Sequence, residues 1–450
     1  MLRSFRVGNH RSFADENELL LIPAADDRPA VPVVAVYGAN ASGKSNLLGG
    51  LRFMQRAVTQ SFSQWEPFSG VPRDPYSFRT SHLLTVESTY VVEFVADGIP
   101  WTYGFTVDNE RVLEEWLFSY PEKRKRVLFQ RSDDHYSSGS AMAEHRAQLK
   151  VMQELTRPNA LFLSAVAQAR PDIFRPVHQW FRETLIWPDG RGASSAAIAR
   201  RLRGVLLNGS AAERARLIEL ARQADFGIAA IEAPVAPDEL LVSTLRPPRP
   251  GATRPKTSAP PNPEMHARVD DSTTTAVPLT RDPYGDTARA LPPLVFVHYG
   301  SEGFALPLEQ ESAGTVAWLD MLPGVLDALD RGKVLVIDEI DTSLHPLLTA
   351  SLIELFQSTE TNSHGAQLIL TTHDSSLLGT VVRPDGLLRR DQVWFVEKDA
   401  NGASSLYPLT DYKPRNEHNL ERRYLGGSFG AIPHVDFLRL AEALRHADPA

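Results

Sequence analysis

The segment that most constrains the fold is GANASGKS at residues 38–45, which stands between the apolar run VVAVY and a helix-like stretch beginning NLLGGL. Its glycines allow a tight turn in which successive backbone N–H groups converge on phosphate oxygens. A lysine adds a compact positive charge, and the helix N-terminus adds the positive end of its dipole. A strand, this loop and a helix in this order indicate an α/β protein that binds a nucleoside triphosphate. The predicted nucleotide-binding residues are Gly38, Ala39, Asn40, Ala41, Ser42, Gly43, Lys44 and Ser45.

A second apolar run, VLVI at 334–337, ends in two adjacent carboxylates, Asp338 and Glu339. Ligands in open α/β sheets sit beyond the carboxyl ends of the strands, so both side chains are expected near the phosphates. We expect Asp338 to hold Mg²⁺ through water and the Ser45 hydroxyl to ligate the ion directly. Glu339 is then the residue that polarises an attacking water molecule.

A third apolar run, LILTT at 368–372, delivers His373 to the same edge of the sheet. The histidine follows Glu339 by 34 residues and is predicted to contact the γ-phosphate and to sense its loss. A lone histidine at a strand end is also typical of a structural hydrogen bonder, and that alternative stays open.

The stretch ESAGT at 311–315 opens a helix-like segment, and its Ser312 lies 26 residues before Asp338. A Ser-x-Gly turn at a helix N-terminus is suited to binding an anion, which makes Ser312 and Gly314 candidate phosphate contacts. The alternative is an ordinary helix cap formed by Ser312.

The apolar patterns predict two kinds of sheet. Short β-rich runs that alternate with helix-like stretches at 315–330 and 346–358 predict a mostly parallel sheet covered on both faces. These runs are 294–299, 334–337, 368–372 and 393–396. Alternating apolar and polar residues predict an antiparallel β-meander over 83–95, 102–107 and 112–118, whereas 143–156 and about 172–225 are predicted to be helical.

The chain of 450 residues is too long for one ordinary domain. Residues 246–263 contain seven prolines and predict an exposed loop or linker. The domain prediction is an N-terminal phosphate-loop half with the β-meander at 1–140, a helical lobe at 141–235, a Pro-rich insertion at 236–292, a C-terminal ATPase half at 293–410 and a C-terminal element at 411–450.

Composition excludes several classes of protein. Hydrophobic residues make up 42% and charged residues 23%, so the chain is not wholly disordered. The net charge of −8 argues against a protein that is basic throughout, although a local basic patch stays open. The lack of cysteine excludes disulfides and thiolate metal sites. No apolar run of 18 residues occurs, so a cytoplasmic protein without a membrane partner is expected.

The order of a Walker A loop, a Ser-x-Gly signature, a Walker B strand and a switch histidine resembles the heads of ABC-type ATPases, which include SMC and RecF proteins. The amino-acid sequence of the segments around these motifs most resembles the prokaryotic AAA-labelled, ABC-like ATPases of abortive-infection and anti-phage defence operons. The segments that carry this resemblance are VYGANASGKSNLL, YGFTVDNERVLEEWLF, NALFLSAVAQ, ESAGT, VLVIDEIDTSLHP, LILTTHDSSLL and YLGGSFGAIP.

The resemblance implies a P-loop NTPase fold, namely an ABC-type ATPase head with a mixed central sheet, an antiparallel β-subdomain and a helical lobe. It implies slow ATP hydrolysis with ATP and Mg²⁺ in a homodimer, where Ser312 and Gly314 of one subunit act in trans on the nucleotide of the other. Residues 341–345 are then expected near the dimer contact. Gln168 takes the place of the Q-loop glutamine, a further Mg²⁺ ligand. ESAGT departs from LSGGQ by an alanine in place of the first glycine.

The same resemblance implies the sensor or regulatory subunit of a two-component defence system that acts with a separate effector, a nuclease or toxin. The 77 residues after His373 contain no acidic E…DxD cluster of the kind that Toprim nucleases carry, so the effector is expected to be a separate protein. Residues 415–430 are either a structural turn or a docking surface. The alternative function is a RecF- or SMC-like DNA-repair clamp, while a vestigial scaffold and a transporter head fit less well. The trigger, any higher oligomer and contact with nucleic acid stay open.

Overall fold

The computed structural model describes most of the chain, and the predicted Pro-rich insertion at 236–292 lies outside the described residues. The described ranges are 1–24, 28–78, 86–169, 172–188, 194–223, 227–233, 294–299, 304–342, 344–413 and 419–433. The chain forms two compact units, Met1–Ala193 with Ala313–Ala450, and Ser194–Ser312.

The strands, in chain order, are β1 (Leu2–Gly8), β2 (Asn17–Leu20), β3 (Val33–Tyr37), β4 (Ser88–Ala96), β5 (Ile99–Val107), β6 (Val112–Ser119), β7 (Arg126–Ser132), β8 (His135–Ser138), β9 (Leu185–Ile186), β10 (Ile228–Glu232), β11 (Val295–His298), β12 (Phe304–Pro307), β13 (Val334–Ile337), β14 (Gln367–Thr372), β15 (Val393–Lys398) and β16 (Ser404–Pro408). The α-helices are α1 (Lys44–Gln64), α2 (Arg146–Leu155), α3 (Phe162–Val166), α4 (Arg175–Gln179), α5 (Ser195–Asn208), α6 (Ala211–Arg222), α7 (Ala313–Arg331), α8 (Pro346–Gln357) and α9 (Leu420–Leu425).

A six-stranded central sheet in the first unit has the order β16-β15-β3-β14-β13-β9. The pairings from β15 to β9 are parallel, and β16 adds an antiparallel edge. Every residue of β3, β13 and β14 is buried, as near-continuous apolar runs require in a sheet covered on both faces. The predicted α/β class with a mixed central sheet is confirmed.

The second sheet of this unit is fully antiparallel, with the order β2-β1-β4-β5-β6-β7-β8. Its strand β4 buries Tyr90, Val92 and Phe94 while the residues between them are partly exposed. This period of two confirms the predicted antiparallel β-subdomain, which also includes the N-terminal strands.

Helix α1 joins the two sheets of the first unit. Its buried residues include Leu47, Leu51, Met54 and Val58, which recur at intervals of three or four and form one apolar face. This face contributes to the same hydrophobic cluster as β3 and β4. The helix that begins at the phosphate loop is therefore anchored along its length.

Two predictions about strands are wrong. The run at 294–299 was expected in the parallel sheet, but β11 lies in a separate three-stranded antiparallel sheet of the second unit, in the order β10-β11-β12. A short apolar run carries no information on its pairing partner, which explains the error. The region 172–225 was expected to be helical throughout, but β9 pairs in parallel with β13 there.

No helix in the part of the chain that the structure describes combines the length and the apolar character that a bilayer-spanning segment needs.

Candidate active site

The phosphate loop follows the central strand β3 and leads directly into α1, as the sequence predicts. Gly43 has φ 118° and Ala41 has φ 61°, so the loop turns through the left-handed region. A Cβ atom at Gly38 would collide with the carbonyl oxygen of Val396 in the neighbouring strand β15. The first glycine is thus required by close approach of backbone, and Gly43 by its dihedral angle.

Two serines outside the motif support this loop from behind. Ser404 donates a hydrogen bond to the carbonyl oxygen of Ser42, and its hydroxyl lies 2.8 Å from that of Ser12. Ser12 accepts a hydrogen bond of 2.8 Å from the side chain of Asn46 in α1. Sequence reasoning missed both serines, because neither belongs to a motif and only the fold brings them to the loop.

Lys44 is the most constrained side chain of the site. Its Nζ donates to the carbonyl oxygens of Gly38 at 2.8 Å and Ala39 at 3.1 Å, and it lies 3.0 Å from Nε2 of His373. These three partners match the three protons of an ammonium group. Burial lowers the pKa of Lys44, while the carboxylates of Glu339 and Asp338 act in the opposite direction.

His373 is neutral in this arrangement. Burial, with the adjacent Lys44 cation as the second cause, lowers its pKa. Because the ammonium group donates to Nε2, the ring proton belongs on Nδ1. The backbone N–H of His373 donates to Asp341 at 3.2 Å, which fixes the histidine at the end of β14.

A residue of the neighbouring strand holds the Asp338 carboxylate and the backbone of Glu339. The Thr371 hydroxyl donates to Asp338 at 2.5 Å and accepts from the backbone N–H of Glu339 at 2.6 Å. Glu339 itself has φ 50°, a left-handed conformation that is costly for a residue other than glycine. Thr371 anchors this strained turn, and at the turn the backbone of Glu339 departs from the extended conformation of β13.

The donor set fits Mg²⁺ bound together with a nucleotide. Ser45 and Asp338 are both exposed, and no group of three or more His, Asp or Glu residues suited to a metal ion occurs among the described residues. Mg²⁺ usually takes one or two protein oxygens together with substrate phosphates and water, rather than an all-protein cage. The Ser42 Oγ and Asp341 Oδ1 atoms are buried and lack hydrogen-bond partners among the described atoms. Both are therefore available to a ligand group at the site.

Gln168 is not brought together with these residues. It is exposed and follows Ser164, whose hydroxyl accepts from the backbone N–H of Phe62 at 3.2 Å. Phe62 lies 17 residues after Ser45 in α1, or about 25 Å along the helix axis. Gln168 also lines a cavity with Arg52 and Gln55 beside α1, and its role as a metal ligand stays a prediction.

The signature turn contains the boundary between the two units. Ser312 is exposed and is the last residue of the second unit, whereas Gly314 lies in the first turn of α7 in the first unit. Within the second unit, Oε1 of the preceding Glu311 lies 2.7 Å from Nε2 of His298, which is hydrogen-bond distance. Both side chains are nearly buried. The action of Ser312 and Gly314 in trans stays a prediction.

A family model described as "AAA domain, putative AbiEii toxin, Type IV TA system" matches residues 33–379 of the chain. This span includes the phosphate loop, the signature turn, the Walker B strand and His373. A comparison with curated proteins found no match.

Solved structures similar to this chain include SMC heads. The SMC head domain from Thermotoga maritima has 13% identity and a TM-score of 0.39, with 90% of this chain and 98% of that chain covered. An SMC head bound to the C-winged helix domain of ScpA has 12% identity and a TM-score of 0.42, with 92% and 99% covered. An Smc head with an extended coiled coil, bound to the C-terminal domain of ScpA derived from Pyrococcus furiosus, has 11% identity and a TM-score of 0.38, with 99% of both chains covered.

Proposed function

This chain belongs to the AAA-domain family whose model spans residues 33–379, and from that premise we propose that it is an ATP-hydrolysing switch. The observation that carries the proposal is the meeting of Lys44, His373 and the two Walker B carboxylates at one edge of the central sheet. P-loop ATPases of this kind generally use ATP with Mg²⁺, and the metal neutralises charge on the phosphates.

The residues divide the work as follows. Lys44 exchanges its loop carbonyl partners for phosphate oxygens, while the backbone N–H groups of residues 38–45 surround the phosphates. Ser45 and Asp338 hold the metal. Glu339 orients the attacking water as a hydrogen-bond acceptor.

His373 is proposed as the γ-phosphate sensor. In the ligand-free protein its Nε2 accepts from Lys44, and this contact must be exchanged when Lys44 turns to the phosphates. The Nε2 atom is then free to take a proton and donate to a γ-phosphate oxygen. Loss of that phosphate allows the Lys44 contact to form again.

We further propose that the composite site forms in a homodimer, with Ser312 and Gly314 supplied by the partner subunit, and that turnover is slow. The wider role is a sensor or regulatory subunit of a defence system with a separate effector. The family description, which names an abortive-infection toxin and a toxin–antitoxin system, supports this role.

Replacement of Glu339 by Gln tests the ATPase proposal. The amide keeps the shape but loses the carboxylate that orients water, so we expect ATP binding to persist and turnover to fall by about 100-fold or more. Phosphate release measures turnover, and light scattering with ATP should reveal a trapped dimer. The matched control is Glu360→Gln at an exposed turn after α8. Wild-type turnover in Glu339→Gln would refute the role.

The alternative role as a DNA-repair clamp makes a different prediction. A clamp should bind duplex DNA without a partner protein, in a manner that depends on ATP and weakens steeply with salt. Filter binding with a short duplex at several salt concentrations distinguishes the two roles. ATP-dependent binding to DNA ends would favour the clamp over the two-component switch.

A further inference from the structure

A polar cavity of about 720 Å³ lies beside α1. Arg52, Arg56, Gln60 and Gln64 recur every four residues, so they form a polar stripe that winds gradually around this part of the helix. The facing wall comes from α4, the segment that leads to β9, and the residues after β9. The lining residues there include His178, Arg182, Leu185 and Trp187.

The cavity carries an excess of positive charge. Three arginines line it, and no carboxylate is among the described residues of the lining. Among the described residues, the guanidinium groups of Arg56 and Arg182 have no hydrogen-bond or ion-pair partner. Glu183, the carboxylate next in the chain, is exposed and does not line the cavity. Arginines four residues apart on a helix repel each other, so the arrangement favours an anion between them.

One wall of the cavity is rigidly built. The Gln55 side chain donates to the carbonyl oxygens of Phe181 at 2.7 Å and Leu185 at 3.0 Å. Its oxygen accepts from the indole N–H of Trp187 at 2.6 Å. The guanidinium carbon of Arg52 lies 5.5 Å from the centre of the Trp187 ring, within the range of a cation–π contact. Gln55 thus fixes Trp187, and Trp187 supports Arg52.

Arg182 lies in a π-helical turn, Trp180–Thr184. Its neighbours Trp180 and Phe181 are buried, and Trp180 stacks on Phe94 with ring centres 4.2 Å apart. Two adjacent anchors in the core leave Arg182 exposed on the cavity side. Turns of this type are rare and are frequent at functional sites.

His178 adds a neutral polar group to the cavity lining. Burial lowers its pKa, with Arg182 as the second cause. Its Nε2 atom is buried and has no hydrogen-bond partner among the described atoms. A ligand oxygen or hydroxyl in the cavity would satisfy it.

We propose that this cavity binds a small ligand that carries two or more phosphoryl groups. Arginine is well suited to phosphate because its planar group donates two parallel hydrogen bonds. The volume lies in the range of small-molecule sites. A ligand here would contact α1, which begins at the phosphate loop, and the segment next to β9, which pairs with the Walker B strand β13. None of residues 38–45 lines this cavity, and Arg52 lies about 10 Å along the helix beyond Ser45, although the predicted Q-loop residue Gln168 is part of the lining.

Calorimetry with inorganic tripolyphosphate tests the proposal on the full-length Lys44→Ala chain, in which the phosphate loop is disabled. We expect saturable binding, and at least about tenfold weaker binding when Arg56→Gln and Arg182→Gln are added. Both arginines are exposed, so the fold should survive, and thermal unfolding checks it. The matched control adds Arg124→Gln and Arg126→Gln, which remove the same charge from exposed positions near β7 and should leave the affinity unchanged.

Three outcomes would overturn the proposal. They are no binding of tripolyphosphate to the Lys44→Ala chain, equal loss in the control variant, and tight competition by a twelve-nucleotide single strand that needs the same arginines. The last would assign the cavity to nucleic-acid backbone. Binding that depends on neither arginine pair would also overturn the proposal, whereas the ATPase proposal is tested separately by Glu339→Gln, so the two failures are distinguishable.

Discussion

The phosphate loop and the signature turn differ in how many of their functional side chains are held by hydrogen bonds within one unit. At the loop, Lys44, His373 and Asp338 are held by hydrogen bonds that all lie inside the first unit. At the signature, Ser312 is exposed, and the nearby Glu311–His298 pair belongs to the second unit. The phosphate-binding residues are therefore held within one unit, whereas Ser312 is an exposed residue of the other unit, and its action in trans stays a prediction.

The largest expected effect is at the phosphate loop. Lys44→Ala removes the cation that faces the phosphates and leaves the carbonyl oxygens of Gly38 and Ala39 without their donor. We expect ATP affinity to fall by about 100-fold or more, because hydrogen bonds from charged groups to phosphate are among the strong ones. Calorimetry with ATP and Mg²⁺ measures it. Lys333→Ala, which breaks only the ion pair with Asp327, should bind normally; unchanged affinity in Lys44→Ala would reject the site.

A mixture of two inactive chains tests whether the phosphate loop of one subunit meets the signature turn of its partner in a dimer. Lys44→Ala loses the phosphate contact and Ser312→Arg blocks the signature, so each chain alone has two defective sites. Random mixing makes about half of the dimers mixed, each with one intact site, so roughly a quarter of wild-type turnover should return.

Cooperative firing of both sites would lower the recovered fraction, and native mass spectrometry must show that mixed dimers form. If mixed dimers are present and turnover stays absent, then either the signature acts within its own chain or both sites must fire together. A nucleotide-bound structure that shows which chain supplies Ser312 separates these two explanations.

Substitution of His298 tests whether the function of the signature turn depends on the His298–Glu311 contact within the second unit. His298→Ala removes a 2.7 Å contact and leaves the nearly buried carboxylate of Glu311 without this partner, at a cost of about 1–3 kcal/mol. We expect turnover to fall by about tenfold while ATP affinity stays unchanged, because the phosphate loop is in the other unit. His298→Gln retains a donor and should restore part of the turnover. An equal loss of ATP affinity would contradict this separation.

The smallest expected effect is on the free energy of unfolding of the first unit at acidic pH. Burial lowers the pKa of His10, which lies 3.0 Å from the Tyr90 hydroxyl, to about 4. The unfolded chain has a histidine pKa of about 6.5 and binds the proton first, so stability is full above that pH and declines as pH falls toward 4. Between pH 7 and 5.5 the free energy of unfolding should fall by about 1 kcal/mol from this group.

Chemical denaturation at the two pH values measures the effect of His10. The control is His10→Gln, which should have lower stability overall but lose this part of the pH dependence. A wild-type pH dependence that persists unchanged in His10→Gln would assign it to other groups.

Local motifs allowed most of the candidate site to be predicted. The loop at 38–45, the strand before Asp338 and the strand before His373 all lie where the sequence indicates. The reason is physical: each strand is a buried run of apolar residues, and in an open α/β sheet ligands bind beyond the carboxyl ends of the strands, where these polar residues follow. Gln168 was chosen from its order along the chain alone, and order does not constrain distance in space.

The supporting residues could not be predicted in this way. Thr371 was part of a recognised strand, yet its bridge between Asp338 and Glu339 depends on β14 lying beside β13 in register. Ser12 and Ser404 are 392 residues apart in the chain and meet behind the loop. No short-range pattern contains such pairings.

The sequence by itself determined that β3, β13 and β14 become buried strands, where the phosphate loop turns and which carboxylates follow β13, because the apolar period and the placement of glycine and lysine are local properties. Only the tertiary structure decided that β9 borders β13, that β11 pairs in another sheet, and that Lys44 meets His373 at 3.0 Å across 329 residues. Strand partners are selected by burial of whole faces and by backbone hydrogen bonds between distant segments. That choice depends on the complete chain rather than on any window of it.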